Sequence, residues 1–217
     1  MRKHRLLTCG TAAALCLCLL GQMPAKQASA LNPLIQTSFT PDPAPVVFGD
    51  ELYVFTGCDA DGADNYVMTG WQCFSTKDMQ NWTDHGRVFE DTDFAWARED
   101  SAWASQCIER NGKYYLYCTA TTDKWGGGRS IAVAVADNPW GPYKDVLEKP
   151  LCGPNWNYID PTVMIDDDGQ AWLFFGTPTL YYVKLNEDMI STDGEVKAFD
   201  MTEAAFGKGK NGTAYGE

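Results

Sequence analysis

The stretch that decides the fold is DPTVMIDDDGQAWLFF, residues 160–175. Two short runs rich in β-branched and aromatic residues flank an Asp-Asp-Gly turn. Asp-Gly pairs tolerate the positive φ angles that tight turns need, so this stretch predicts a β-hairpin. The same arrangement occurs at 44–55, around a Gly-Asp turn, and at 106–117, around an Asn-Gly turn.

Each hairpin is followed by a second block of similar character, which makes the chain repeat in units of about four strands. The units start at Asp42, Trp103 and Asp160, which are 61 and 57 residues apart, and a further 57 residues lead to Glu217. Such restarts are typical of β-propeller blades, whereas a β-sandwich would not restart so regularly. We therefore expect an all-β chain that carries about three blades of a propeller. The expected blades are approximately 42–100, 101–157 and 158–216.

The first thirty residues differ from the rest. A basic start, Arg2 to Arg5, precedes an apolar run over 6–20 and the small residues Ala28-Ser29-Ala30. This order predicts a secretory signal peptide cleaved after about Ala30, and hence a secreted protein, extracellular or periplasmic. A membrane anchor is the alternative, although the run is shorter than the roughly 20 residues that a spanning helix needs.

The predicted mature part, residues 31–217, is strongly acidic. It carries 29 acidic and 13 basic residues, for a net charge of −16, and all 28 aromatic residues of the chain. Such a charge repels nucleic acid and anionic membranes, so neither is expected as a partner. The aromatic content suffices for a core and leaves rings for binding the flat faces of a neutral sugar.

Metal and nucleophile chemistry find little support in the sequence. Five cysteines follow residue 30, an odd number, and they are either paired in part or buried as small apolar side chains. A serine or cysteine hydrolase would depend on His85, since it is the only histidine after the signal. An acidic run at 59–64 resembles a calcium loop but has Gly70 where the twelfth position needs an acid, so no metal site is predicted.

The repeat gives three acids comparable positions. The first strand of each blade lines the central channel of a propeller, so Asp42, Asp160 and Glu217 should meet near the channel mouth. Clustered carboxylates suit glycoside hydrolysis, which needs one protonated acid for the leaving oxygen and one ionised group. Like charges around one pocket push their pKa values apart and so permit both roles.

Several motifs together resemble glycoside hydrolase family 43. They are Asp-Pro-Ala-Pro at 42–45, Trp-Ala-Ser-Gln at 103–106, Ile-Asp-Pro-Thr at 159–162 and Asp-Asp-Asp-Gly at 166–169. The resemblance implies a five-bladed propeller that cleaves arabinofuranosyl or xylosyl linkages in hemicellulose or arabinan with inversion. By position, it implies that Asp42 is the general base, Asp160 the carboxylate that tunes the acid, and Glu217 the general acid.

The resemblance also implies a sugar platform at Trp103, although Ser105 stands where proline is common in the family. Trp71, Trp96 and Phe39 are further candidates for substrate binding. No cofactor is required, and any structural calcium would have its ligands largely beyond Glu217. We expect residues 31–217 to be an incomplete catalytic domain that is inactive by itself, because the expected ring is open.

Two other functions remain open at this point. One is a propeller that binds sugars without cleaving them. The other is a retaining, fructan-type propeller glycosidase, which typically starts with Asn-Asp-Pro-Asn, whereas here Asp42 lies between Pro41 and Pro43.

Overall fold

The computed structural model describes residues 34–200 and 202–206. These residues form three four-stranded antiparallel sheets, which we call blades one, two and three. Blade one consists of β1 (Ala44–Phe48), β2 (Glu51–Asp59), β3 (Met68–Thr76) and β4 (Thr83–Glu90). Blade two consists of β5 (Ala102–Arg110), β6 (Lys113–Thr122), β7 (Gly128–Ala136) and β8 (Lys144–Asp145). Blade three consists of β9 (Thr162–Ile165), β10 (Ala171–Phe175), β11 (Tyr181–Leu185) and β12 (Thr192–Ala198). A 3₁₀ turn, Asp91–Asp93, and a short helix, α1 (Glu203–Phe206), complete the described part.

The hairpins form where the sequence predicts them. In blade two, Arg110 pairs with Lys113 across Asn111 and Gly112, whose φ angles are 54° and 74°. Positive φ at both central residues matches the right-handed twist of the flanking strands, which is why an Asn-Gly pair stands here. The local chemistry of the turn therefore fixes the pairing of β5 with β6.

The blades pack side by side through their inner strands. β5 lies against both β1 and β9, and consecutive residues of β6 face different neighbours. Leu116 belongs to the core between blades one and two, whereas Tyr117 belongs to the core between blades two and three. Because side chains alternate across a strand, one blade can pack against a blade on each face. The prediction of an all-β propeller architecture is confirmed.

Trp103 is not the residue of blade two that corresponds to Asp42 and Asp160. Asp42 and Asp160 lie two residues before β1 and β9, and the equivalent residue before β5 is Asp100, not Trp103. The starts are therefore 58 and 60 residues apart. The pairing of β5 with β6 shifts between Ala102 and Ser105, so a β-bulge carries Trp103 out of the register that the sequence repeat suggested.

The described residues include five cysteines and only short helical segments. Each of the five cysteines found there is buried and unpaired, so the interpretation as small apolar core residues is confirmed. No helix among those residues is long and apolar enough to span a bilayer.

Candidate active site

Three acids occupy the same backbone position in the three blades. Asp42, Asp100 and Asp160 have φ angles of 52°, 61° and 56°. This left-handed conformation costs a non-glycine residue about 1 kcal/mol or more, although aspartate tolerates it better than most residues. Its recurrence before each inner strand indicates a shared structural feature rather than an accident of one loop. We call this edge of the blades the acid end.

Asp42 is held by backbone and side-chain contacts from the next two strands of its own blade. The carbonyl of Pro41 accepts a hydrogen bond of 2.9 Å from the N–H of Gly57. The side-chain amide of Gln72, which is buried, donates to the carbonyls of Phe39 and Gly57, both at 2.9 Å. A Cβ atom at Gly57 would lie 3.1 Å from the Pro41 ring, so glycine permits this close approach.

Asp160 is held in a similar way, but partly by another blade. The carbonyl of Ile159 accepts a hydrogen bond of 2.7 Å from the N–H of Gly176, as Pro41 does from Gly57. The N–H of Asp160 itself donates to the hydroxyl of Thr119, a fully buried residue of blade two, at 3.1 Å. Blade two therefore helps to place the acid of blade three.

Trp103 is anchored at the acid end by polar contacts at both its ring and its backbone. Its indole N–H donates to the hydroxyl of Thr121 at 3.0 Å, and its carbonyl accepts the indole N–H of Trp71 at 2.7 Å. The guanidinium carbon of Arg129 lies 5.7 Å from the Trp103 ring centroid, and the exposed ring of Tyr66 lies 5.9 Å away. The ring of Trp103 is half-buried, so its orientation is fixed while part of its surface stays accessible.

Two of the other predicted sugar platforms are core residues. Trp71 has no exposed surface and packs against Phe89 and Phe94, and Trp96 is only 2% exposed. A ring without accessible surface cannot stack on a sugar, so the structure contradicts a platform role for these two tryptophans. Phe39 is 58% exposed and remains a candidate. Glu217 and the predicted signal at 1–30 lie outside the described residues.

Asp100, Arg129 and Tyr66 also lie at the acid end, and none of them was predicted from the sequence. Asp100 follows the same pattern as the two recognised acids, two residues before a strand, but the bulge in β5 hid its equivalence. Tyr66 lies in the connection between β2 and β3, where the sequence has no strand pattern that would predict the direction of its side chain. Arg129 lies within β7, and only the structure shows that its guanidinium group contacts the ring of Trp103.

A buried carboxylate fixes the start of blade two. Asp91 is buried, and its carboxylate accepts the N–H of Ser101 at 3.3 Å. Burial raises the pKa of Asp91, while backbone hydrogen bonds from Ser101, Asp100 and Thr92 act in the opposite direction. Asp91 therefore connects the end of blade one to the residue that follows Asp100.

His85 does not form a nucleophile pair. Its Nε2 atom lies 2.8 Å from the hydroxyl of Ser75, but that hydroxyl donates its own proton to Glu51 at 2.7 Å. A serine whose proton points at a carboxylate is not activated by the imidazole. Ser75 is buried and lies near the β3–β4 turn, at the end of blade one opposite Asp42.

Metal binding also finds no support among the described residues. They contain no group of three or more histidine, cysteine, aspartate or glutamate side chains that could hold an ion. The acidic run 59–64 is included in that search.

A family model for glycosyl hydrolases family 43 matches residues 30–215. The xylosidase/arabinosidase 43A of Humicola insolens is 39% identical over 157 residues, which cover 67% of this chain and 46% of that protein. The β-xylosidase of Xylanibacter ruminicola is 34% identical over 152 residues, or 64% of this chain and 45% of that protein. The chain thus spans about half the length of these curated relatives.

Solved structures of family 43 enzymes are also similar to this chain. An α-L-arabinofuranosidase from Clostridium thermocellum is 38% identical, with a TM-score of 0.62 over 77% of this chain and 58% of that one. A β-xylosidase/α-arabinofuranosidase from a compost metagenome, in complex with xylotriose and in a calcium-free form, is 27% identical. Its TM-score is 0.69 over 80% of this chain and 62% of that one.

Proposed function

Because the chain belongs to glycosyl hydrolases family 43, we propose that the protein is a glycosidase of plant cell-wall polysaccharides that cleaves arabinofuranosyl or xylosyl linkages. The relatives in the previous section carry xylosidase and arabinosidase names, which supports this substrate class. The protein would be exported, with residues 1–30 removed after about Ala30. Its strongly acidic charge favours a neutral polysaccharide over an anionic one.

One observation carries the proposal more than any other. Asp42 and Asp160 share a left-handed backbone, a position two residues before an inner strand, and a preceding carbonyl bonded to a glycine N–H. The fold therefore presents both carboxylates at the acid end. Trp103 lies at the same end and offers an anchored ring for the sugar.

In the proposed reaction, water attacks the anomeric carbon directly and the configuration inverts. Asp42, which is exposed at the acid end, takes a proton from that water. Glu217 gives a proton to the leaving glycosidic oxygen, and Asp160 orients Glu217 and adjusts its pKa. The C–O bond to the leaving sugar breaks as the bond to water forms, so one water is consumed and no covalent intermediate arises.

The test of this function is Asp42→Asn, assayed on aryl arabinofuranosides and aryl xylosides. Loss of a general base should lower kcat by about 10²-fold to 10⁴-fold. Asp100→Asn is the matched control, because Asp100 has the same backbone conformation in the next blade and no assigned role. Its turnover should remain within about twofold of the wild-type value. Wild-type turnover by Asp42→Asn would disprove the assignment.

Two further results decide between this function and its alternatives. Proton NMR of the first product should show inverted anomeric configuration, whereas retention would favour the fructan-type mechanism with its covalent intermediate. Sugar binding without product release, unchanged in Asp42→Asn, would favour a non-catalytic binding propeller. Both assays should use residues 31–217 and the gene product with any residues encoded after Glu217.

A further inference from the structure

An open cleft with a volume of about 470 Å³ lies at the acid end of blade two. We call it the Trp125 cleft. It is lined by two tryptophans and four charged residues, namely Trp96, Trp125, Asp93, Lys124, Asp145 and Glu148. Its volume falls within the range of sites that bind small organic ligands. None of these residues has a part in the reaction proposed above.

The topology places this cleft on the same end as the acids but farther from the inner strands. Blade two has the strand order β5-β6-β7-β8, and β5 is the inner strand. Antiparallel strands alternate in direction, so the β6–β7 loop and the residues after β8 lie at the end where β5 starts. Trp125 lies in that loop and Glu148 follows β8. The Trp125 cleft therefore lies at the acid end, on the outer part of blade two.

One tryptophan of the cleft is structural and the other is presented to solvent. Trp96 is buried against Phe94, and its indole N–H donates to the carboxylate of Asp145 at 3.1 Å. Trp125 is 56% exposed, with its ring centroid 6.4 Å from that of Trp96. Lys124 donates to the carbonyl of Ala95 at 2.9 Å, which ties the loop to the segment that carries Trp96. Trp96, which forms the floor of the cleft, is therefore held in place by protein contacts alone.

The charges of the cleft restrict the ligand. Three carboxylates and one ammonium group line it, so an anionic sugar or a phosphate is repelled. One carboxylate oxygen of Asp145 accepts hydrogen bonds from the N–H groups of Leu147 and Glu148, and the other accepts the indole N–H of Trp96. Glu148 is exposed and accepts readily from hydroxyl donors.

We propose that the Trp125 cleft is an accessory binding site for the main chain of a neutral polysaccharide, with one sugar ring on the indole of Trp125. Hydroxyl groups of that sugar donate to Glu148, and Trp96 with Asp145 forms the rigid floor. The ligand class rests on the proposed function, but binding here requires no bond cleavage. The cleft would hold a polymer on the acid end while its side groups or its end reach the channel.

The test is native affinity electrophoresis in gels that contain soluble arabinoxylan or linear arabinan. Trp125→Ala should raise the dissociation constant of the retained polymer about tenfold, as expected for loss of an aromatic anchor. Trp140→Ala is the matched control, because Trp140 is also exposed, at 46%, but lies between β7 and β8 at the opposite end. Its dissociation constant should not change. Trp125→Phe keeps a ring and should retain most of the affinity.

Three results would overturn the proposal. They are unchanged binding by Trp125→Ala, equal weakening by Trp140→Ala, or Trp125→Phe binding as poorly as Trp125→Ala. Hydrolysis separates this proposal from the proposed function, because Trp125→Ala should leave turnover of a small aryl glycoside unchanged. If the gene product with any residues encoded after Glu217 binds polymer through Trp125 but has no glycosidase activity, the proposed function is disproved and the accessory site is supported.

Discussion

Replacing Gln72 by leucine should loosen the segment that carries Asp42. The buried side chain donates to the carbonyls of Phe39 and Gly57, and it accepts the hydroxyl of Ser38 at 3.0 Å. Each hydrogen bond contributes roughly 0.5–1.5 kcal/mol net, so the loss of all three amounts to about 1.5–4.5 kcal/mol. The Gly57 carbonyl keeps a donor in the hydroxyl of Thr56, at 2.9 Å, and the new leucine adds apolar burial. Both effects place the expected decrease in the free energy of unfolding near the lower end of this range.

The assay combines urea unfolding with turnover of an aryl glycoside. Gln170→Leu is the control, because the Gln170 amide also donates to two backbone carbonyls, those of Ala171 and Leu185, at the end of blade three opposite Asp160. Both variants should lose comparable stability, but only Gln72→Leu should lose turnover at temperatures where it remains folded. Equal turnover losses in the two variants, or wild-type stability in Gln72→Leu, would refute the positioning role of Gln72.

Two further predictions concern titration. Burial lowers the pKa of His85 below its usual value near 6.5, so the unfolded chain binds the proton more readily and stability should fall as pH drops from 7.5 to 5.5. His85→Gln should reduce this dependence in urea unfolding at the two pH values, and identical pH slopes would contradict it. Burial also raises the pKa values of Cys107 and Cys152 to about 12. Residues 31–217 should therefore react with Ellman's reagent at pH 8 only after denaturation, and rapid labelling of the native thiols would disprove their burial.

Local features of the fold were predictable because they depend on neighbouring residues. Turns such as Asn111-Gly112 need particular residue types, and strands are marked by short apolar runs. The correspondence of Asp100 with Asp42 and Asp160 was not predictable, since the bulge between Ala102 and Ser105 adds a residue that no periodicity reveals. The same difficulty affects the tryptophans. Trp71 and Trp103 both lie in strands, and only the packing of two blades decides that Trp71 is buried while Trp103 is partly accessible.

The candidate site depends on contacts between blades, which no single motif contains. An acid in the left-handed conformation returns to a more common one unless its surroundings hold it. Asp42 is held from within its own blade by Gln72, but Asp160 relies on the hydroxyl of Thr119 in blade two. Gln106 of β5 strengthens this dependence, because its side-chain oxygen accepts both the hydroxyl of Thr162 and the N–H of Val163 at the start of β9.

Blade three therefore cannot shift against blade two without moving Asp160. Tyr117 of blade two also donates to the carbonyl of Met189 in blade three, and it lies in the core that these blades share. A cavity made in that core should loosen Asp160 before it affects the segment before Asp42, because Pro41 and Phe39 accept hydrogen bonds from blade one. The two carboxylates are alike in backbone geometry, yet they differ in what keeps them in place. Hydrogen bonds within blade one hold the segment before Asp42, whereas a hydrogen bond across the interface between two blades holds the backbone of Asp160.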